Sequence, residues 1–252
     1  METLIVDRFI EFGNAAGGEL LSGLLLIVCY FLILFLWRFY SIHGLYLYNI
    51  FAVVVANIQV LKTTQFFLTS EPIALGTLLF ATTFLVSDII TEHHGLVPAR
   101  RGIVLSFLAQ VLMTIFMAFT LAYPYNANDA EATTVQLALY TLFAPSLRLL
   151  IASLSAYCIS QWIDIKIFKA LKDYTHKKFL WLRINVSTLI AGFMDNIIFS
   201  VLAWVLLSSN PVSFSVLIFT YILGTYMARV VVSITSTPII YLTYKFYPGK
   251  KA

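Results

Sequence analysis

"GGELLSGLLLIVCYFLILFLWRFY", residues Gly17–Tyr40, decides the fold class of this chain. No charged residue falls between Glu19 and Arg38. At about 1.5 Å per helical residue, the stretch and its flanks can cross a hydrocarbon core roughly 30 Å thick. The residues before its apolar run, which starts near Leu20, include Glu2, Asp7, Glu11 and Glu19 rather than the basic start of a cleaved signal peptide, so it reads as a retained anchor.

The rest of the chain has the same character. Its 252 residues are 60% hydrophobic and 11% charged, with a mean hydropathy of +0.90. Soluble domains carry about 25% charged residues. A chain this poor in charge cannot cover itself with polar surface, so its solvent is lipid. We expect an all-α integral membrane protein with about seven transmembrane helices, near Leu20–Tyr40, Gly44–Leu61, Ile73–Thr91, Gly102–Tyr123, Gln136–Phe168, Ile184–Ser208 and Phe214–Tyr244. The fifth and seventh exceed a bilayer's need and contain Pro145 and Pro238, which predicts a kink, tilt or short interfacial piece.

Charge in the connections alternates. Arg38, Arg100–Arg101, Lys169–Lys178 with Arg183, and Lys245–Lys251 are basic, whereas "PYNANDAEATT" and "SSNPVS" contain no Lys or Arg. Cytoplasmic loops gather Lys and Arg. The expectation is an N-terminus outside (residues 1–19) and a basic cytoplasmic tail (246–252); Lys62 alone violates the pattern. Cys29 and Cys158 have no partner at ligand spacing, so neither a disulfide nor a metal site is expected. His93–His94 is read as a solvated interfacial pair, and no glycine-rich phosphate loop or cofactor motif is present. "QWIDIKIF" and "GFMDNIIF" echo each other weakly, too little to establish an internal duplication.

Asp88, Arg148, Asp195 and Arg229 fall inside spans. Each costs roughly 2.5–3.5 kcal/mol at the bilayer centre, and such residues face a cavity or a partner. Depth matches Arg148 with Asp195 near the midplane, and Arg229 with Asp88 nearer the cytoplasm. Asp164 is expected at the cytoplasmic mouth, with Glu92 beside the basic loop. The plain alternative is a set of ion pairs that only lock helices together. With Asn57, Asn185 and Asn196 nearby, a hydrated polar cavity is the preferred expectation. No Gly-x-Gly-Asp or Gly-x-Ser-Gly motif supports intramembrane proteolysis, so no enzyme activity is expected.

"ANIQVLKTTQFF", "TTFLVSDIITEHHGLVPARRG", "RLLIASLSAYCISQWIDIKIFKALK" and "FLWLRINVSTLIAGFMDNIIF" resemble, in order and spacing, the bacterial queuosine precursor transporter (VUT) family. The resemblance implies a six-helix core over 43–245, with 20–42 as an added N-terminal helix. It implies import of 7-cyano- or 7-aminomethyl-7-deazaguanine for queuosine salvage in tRNA modification, with a small planar base as partner and no direct contact with nucleic acid. The alternative is a substrate-binding subunit of a larger importer, docked through the small-residue patch "AVVVA". A homo-oligomer or an energising partner stays open. Where the family reads Ser-Gln and Asp-Thr after Ser187, this chain has Ala191–Gly192 and Asn196; Asn196 or Gln161 would supply the amide. The candidate substrate-binding set is Asn57, Asp88, Arg148, Gln161, Asn185, Asp195 and Asn196. Asp164, Glu92 and Arg229 are structural charges, and Phe84, Tyr157 or Trp162 is the stacking ring.

Overall fold

A computed structural model describes residues 2–66, 73–143, 146–208 and 210–247. The first helical run, Glu2–Gln59 (α1), breaks at Gly17 and at Ser41. Gly17 sits at φ 79, a backbone geometry that costs glycine little. It separates a helical piece over 2–16 from the membrane-crossing piece that follows. Ser41, at φ 53, reverses the chain, so the pieces on either side pack as neighbours. Gly44 is required there, because a Cβ would lie 2.5 Å from the Leu36 carbonyl oxygen.

After α1, Thr63–Thr64 (β1) pairs antiparallel with Ile73–Ala74 (β2). The third span therefore begins at Gly76, not at the expected Ile73, and runs Gly76–His94 (α2). The bundle continues with Leu96–Ala122 (α3), Ala130–Phe143 (α4), Ser146–Tyr174 (α5) and Leu180–Val201 (α6). A π-helical extension, Leu202–Leu206, follows α6. The last span starts as Phe214–Val216 (α7), passes through a π-helical stretch at Leu217–Gly224, and ends as Thr225–Lys245 (α8).

The expected single fifth span is thus two helices, α4 and α5. Pro145, at their junction, lies outside the described residues. Pro238, in contrast, sits within α8 without ending it. The irregular backbone in the last span lies earlier, in the π-helical stretch. Residues 248–252 of the expected basic tail also lie outside the described residues.

Four helical stretches among the described residues are long and apolar enough to cross a membrane: Ile5–Gln59, Leu96–Ala122, Leu180–Leu206 and Phe214–Lys245. The first holds two crossings on either side of Ser41. α2 and α5 fall short for a physical reason. They are the inner helices and carry the polar side chains, and α2 buries almost every residue from Leu78 to Thr91. The outer helices instead expose Phe31, Phe39, Phe116, Phe119, Phe219 and Ile234, as suits a surface bathed in acyl chains. The protein is an all-α membrane bundle whose polar groups sit inside. Ala52 and Ala56 of "AVVVA" are buried, and a Cβ at Gly76 would come 2.3 Å from the Ala56 carbonyl oxygen. That patch already docks α1 against α2 within the chain.

Candidate functional site

A cavity of about 350 Å³ lies among α1, α2, α5, α6 and α8, at the small end of the usual range for ligand pockets. One wall is Asn57, Val60 and Leu61 at the end of α1, beside Thr77 and Phe80 of α2 and Ser153 of α5. The lining continues with Asp195, Asn196 and Phe199 of α6 and with Thr225 and Arg229 of α8. The two π-helical stretches complete it with Trp204 and Tyr221. Their rings stack at 4.7 Å between centroids and 27° between planes. A π turn adds a residue to the helical period and re-aims the side chains after it. Here both aromatic walls come from such turns.

Asn57 donates to the Val53 carbonyl at 2.9 Å and accepts from the Ser153 hydroxyl at 2.6 Å, which fixes its amide at the cavity edge. Asn196 donates to the Ile222 carbonyl at 3.1 Å and to Thr225 Oγ1 at 2.9 Å, tying α6 to the π-helical stretch. At the cavity floor, Arg229 Nη2 donates to Asp195 Oδ2, and the Ser160 hydroxyl donates to Asp195 Oδ1 at 2.8 Å. Arg229 lies over the Phe84 ring at 5.9 Å. Its Nε and Nη1 are buried without a hydrogen-bond partner. Gly192 faces this side chain, and a Cβ there would meet Arg229 Cδ at an ordinary 3.5 Å.

Beyond the floor the interior is polar but closed. Gln161 accepts from Ser87 at 2.7 Å and donates to Thr83 at 2.7 Å, joining α5 to α2. Thr188 donates to Asp88 Oδ2 at 3.3 Å. Asp88 and Asp164 are both fully buried, with carboxyl groups in hydrogen-bonding reach of each other.

A third layer seals the basic end of the bundle. Glu92 pairs with Arg183 at 3.2 Å and with Lys172 at 3.0 Å, and accepts from the Tyr244 hydroxyl. One carboxylate thereby binds α2 to α5, α6 and α8. Trp37 donates to the Thr243 carbonyl at 3.0 Å, and His93 bonds the Thr243 hydroxyl at 2.7 Å. His93 also packs on the Trp37 ring at 4.8 Å. The histidine pair is therefore packed into this seal and is not the solvated feature expected.

Of the sequence-derived candidates, the structure brings Asn57, Asp195 and Asn196 to the cavity wall and adds Arg229 to them. Asp88 and Gln161 lie below the floor, and Asn185 bridges α6 to α8 through Thr237 and Ser233. The Arg148 side chain lies outside the described residues. Depth alone mispaired the charges. Arg229 meets Asp195 rather than Asp88, because α8 packs against α6 with Gly192 facing it. Asp164 is fully buried, not at the mouth. The ring expectations also shift. Phe84 and Tyr157 are buried in packing, and Trp162 stacks under Arg100 at 4.7 Å. Phe80, Phe199, Trp204 and Tyr221 are the rings that line the cavity. Arg183, read as part of a basic loop, is buried within α6; its place just before Ile184 was the only signal.

Residues 74–243 match the family described as "Putative vitamin uptake transporter". The matched region starts after α1 and includes most of the cavity wall. The chain is also 30% identical over 225 residues to a protein of Bacillus subtilis (strain 168) named "Probable queuosine precursor transporter", covering 88% of this chain and 93% of that one. No solved structure matches.

Proposed function

The chain belongs to the vitamin uptake transporter family, and from that premise we propose that it imports queuosine precursors, 7-cyano- or 7-aminomethyl-7-deazaguanine. The observation that carries this reading is the cavity itself: a small chamber with flat aromatic walls and a carboxylate, a guanidinium and two amides at fixed positions.

A deazaguanine has an N–H and an NH₂ side by side, which suit acceptor oxygens on Asp195 or Asn57. Its ring carbonyl suits a donor, and Arg229 is the guanidinium that lines the cavity. The ring would lie against Trp204 and Tyr221, where offset stacking adds about 0.5–1.5 kcal/mol beyond area burial. With basic connections on the cytoplasmic side, the cavity faces outward and the Glu92 layer closes the inner end. The chain in this reading is an outward-facing carrier.

The test is restoration of queuosine in tRNA, in a bacterial strain unable to make the precursor and lacking its own importer. Trace external precursor should restore the modification with the native chain and fail with Asp195→Asn at equal membrane abundance. Equal restoration by both would remove the binding role from the cavity floor. No restoration by the native chain would reject the substrate.

A further inference from the structure

We propose that Asp88 and Asp164 share one proton and form the proton-binding site through which this carrier is driven. The proposal rests on the import reading for its cargo, and on the geometry below for its site.

Both carboxyl groups are fully buried and within hydrogen-bonding reach of one another. Asp88 Oδ1 and both oxygens of Asp164 have no hydrogen-bond donor. Of the donors close by, the Ser187 hydroxyl is in reach of Asp164 and is shared with the Ile184 carbonyl at 3.3 Å, and the others are directed elsewhere. Gln161 and Ser87 bond each other, and Gln161 donates its amide to Thr83. Two ionised carboxylates held together in a buried site repel strongly, so one keeps a proton and donates it to the other.

The surrounding charges lead to the same count. Glu92 on α2 is matched to Lys172 of α5 and Arg183 of α6, with Tyr244 of α8 donating to it. Asp195 of α6 is matched to Arg229 of α8. From α1 comes Tyr48, bonded to Thr82; from α3 comes Arg100, stacked outward on Trp162; from α5 comes Tyr157, bonded to Asn49. Among the described residues, the three ion-paired core cations, Lys172, Arg183 and Arg229, thus stand against two paired carboxylates. A single negative charge on the Asp88–Asp164 pair balances that set, which is one proton for two acids. Among the described residues no further His, Cys, Asp or Glu joins the pair to make a metal-binding group.

Position makes this pair a coupling element. It lies between the cavity floor and the Glu92 layer. Thr188, which donates to Asp88, shares a face of α6 with Gly192 and Asp195. A proton arriving from the cavity side fully neutralises the pair. It leaves toward the basic end when the Glu92 layer parts, restoring the singly charged state.

Two measurements decide the matter. The first needs no substrate. Infrared spectra of the purified protein at neutral pH should show a carboxylic-acid C=O band that shifts in heavy water and is lost in Asp88→Asn and in Asp164→Asn. Absence of that band in the native protein overturns the shared proton, whatever the cargo. The second uses liposomes holding the full chain and labelled 7-cyano-7-deazaguanine in sodium-free buffer. An inward gradient of about one pH unit should drive up to about tenfold accumulation by the native chain. Asp164→Asn should keep exchange of base for base and lose the accumulation. Gradient-driven accumulation that survives in Asp164→Asn, or that follows sodium instead of protons, overturns the coupling. Failure of the native chain even to exchange the base counts against the import reading, and the infrared band then still decides the proton site.

Discussion

Asp195 and Arg229 form an ion pair across α6 and α8 at the cavity floor, each nine-tenths buried. Removing one partner of such a pair leaves an uncompensated charge, at a cost of about 3–5 kcal/mol. Asp195→Asn is therefore expected to lower the melting temperature in detergent, and Asp195→Asn with Arg229→Gln to recover much of the loss. Uptake should fail in both. A double variant that recovers stability and uptake together would make the pair a purely structural strut.

The aromatic wall separates two tryptophans by role. Trp204 stacks on Tyr221 in the cavity, whereas Trp162 lies under Arg100 on the outside of α5. Loss of one stacking partner is worth about 0.5–1.5 kcal/mol. Trp204→Ala should therefore raise the apparent dissociation constant for precursor several-fold, with Trp162→Ala unchanged. Binding measured by titration on purified protein checks this, and the reverse ranking would move the substrate to another surface.

Two glycines offer a contrast in packing. At Gly76 an added Cβ would sit 2.3 Å from the Ala56 carbonyl oxygen, a backbone atom with nowhere to go. At Gly192 it would meet the flexible Arg229 side chain at an ordinary 3.5 Å. Gly76→Ala should destabilise by about 1–3 kcal/mol through forced separation of α1 and α2, and should also weaken uptake by moving Asn57. Gly192→Ala should stay close to the native melting temperature. Thermal unfolding in detergent ranks the two, and equal effects would deny the close approach of α1 to α2.

The fold was legible because lipid imposes a simple rule. Long uncharged runs such as Leu20–Trp37 span, and the polar exceptions turn inward. Asn57, Asp195 and Asn196 could be placed at a cavity on that ground alone. What the sequence could not carry was azimuth. A depth estimate puts Arg229 level with Asp88, but the face of α8 turned toward α6 decides its partner, and only packing around Gly192 reveals that. The π turns at Leu202–Leu206 and Leu217–Gly224 leave no composition signature, so Trp204 and Tyr221 were invisible as cavity walls. Arg183 was hidden by its neighbours, since Lys177 and Lys178 just ahead of it made the whole stretch look like a solvated loop.

The Glu92 layer is the remaining place where one side chain decides a state of the molecule. Glu92 holds Lys172, Arg183 and Tyr244, and Arg183 has two further buried nitrogens without partners. Glu92→Gln removes the charge that satisfies both cations, so the sealed end loses its advantage over an arrangement that lets Arg183 and Lys172 reach water. Ligand-free protein should shift toward the opposite opening, by the free energy that favoured the closed end. Single-cysteine labels near Tyr247, probed with a membrane-impermeant thiol reagent from the basic side, should react faster in Glu92→Gln than in the native chain, both in a background lacking Cys29 and Cys158. Affinity for precursor offered from the cavity side should fall in proportion. Tyr244→Phe, which removes only a hydroxyl, should move both readouts in the same direction by less. Unchanged labelling in Glu92→Gln would mean that the seal is held by Trp37, His93 and Thr243 instead, with the ion pairs as passengers.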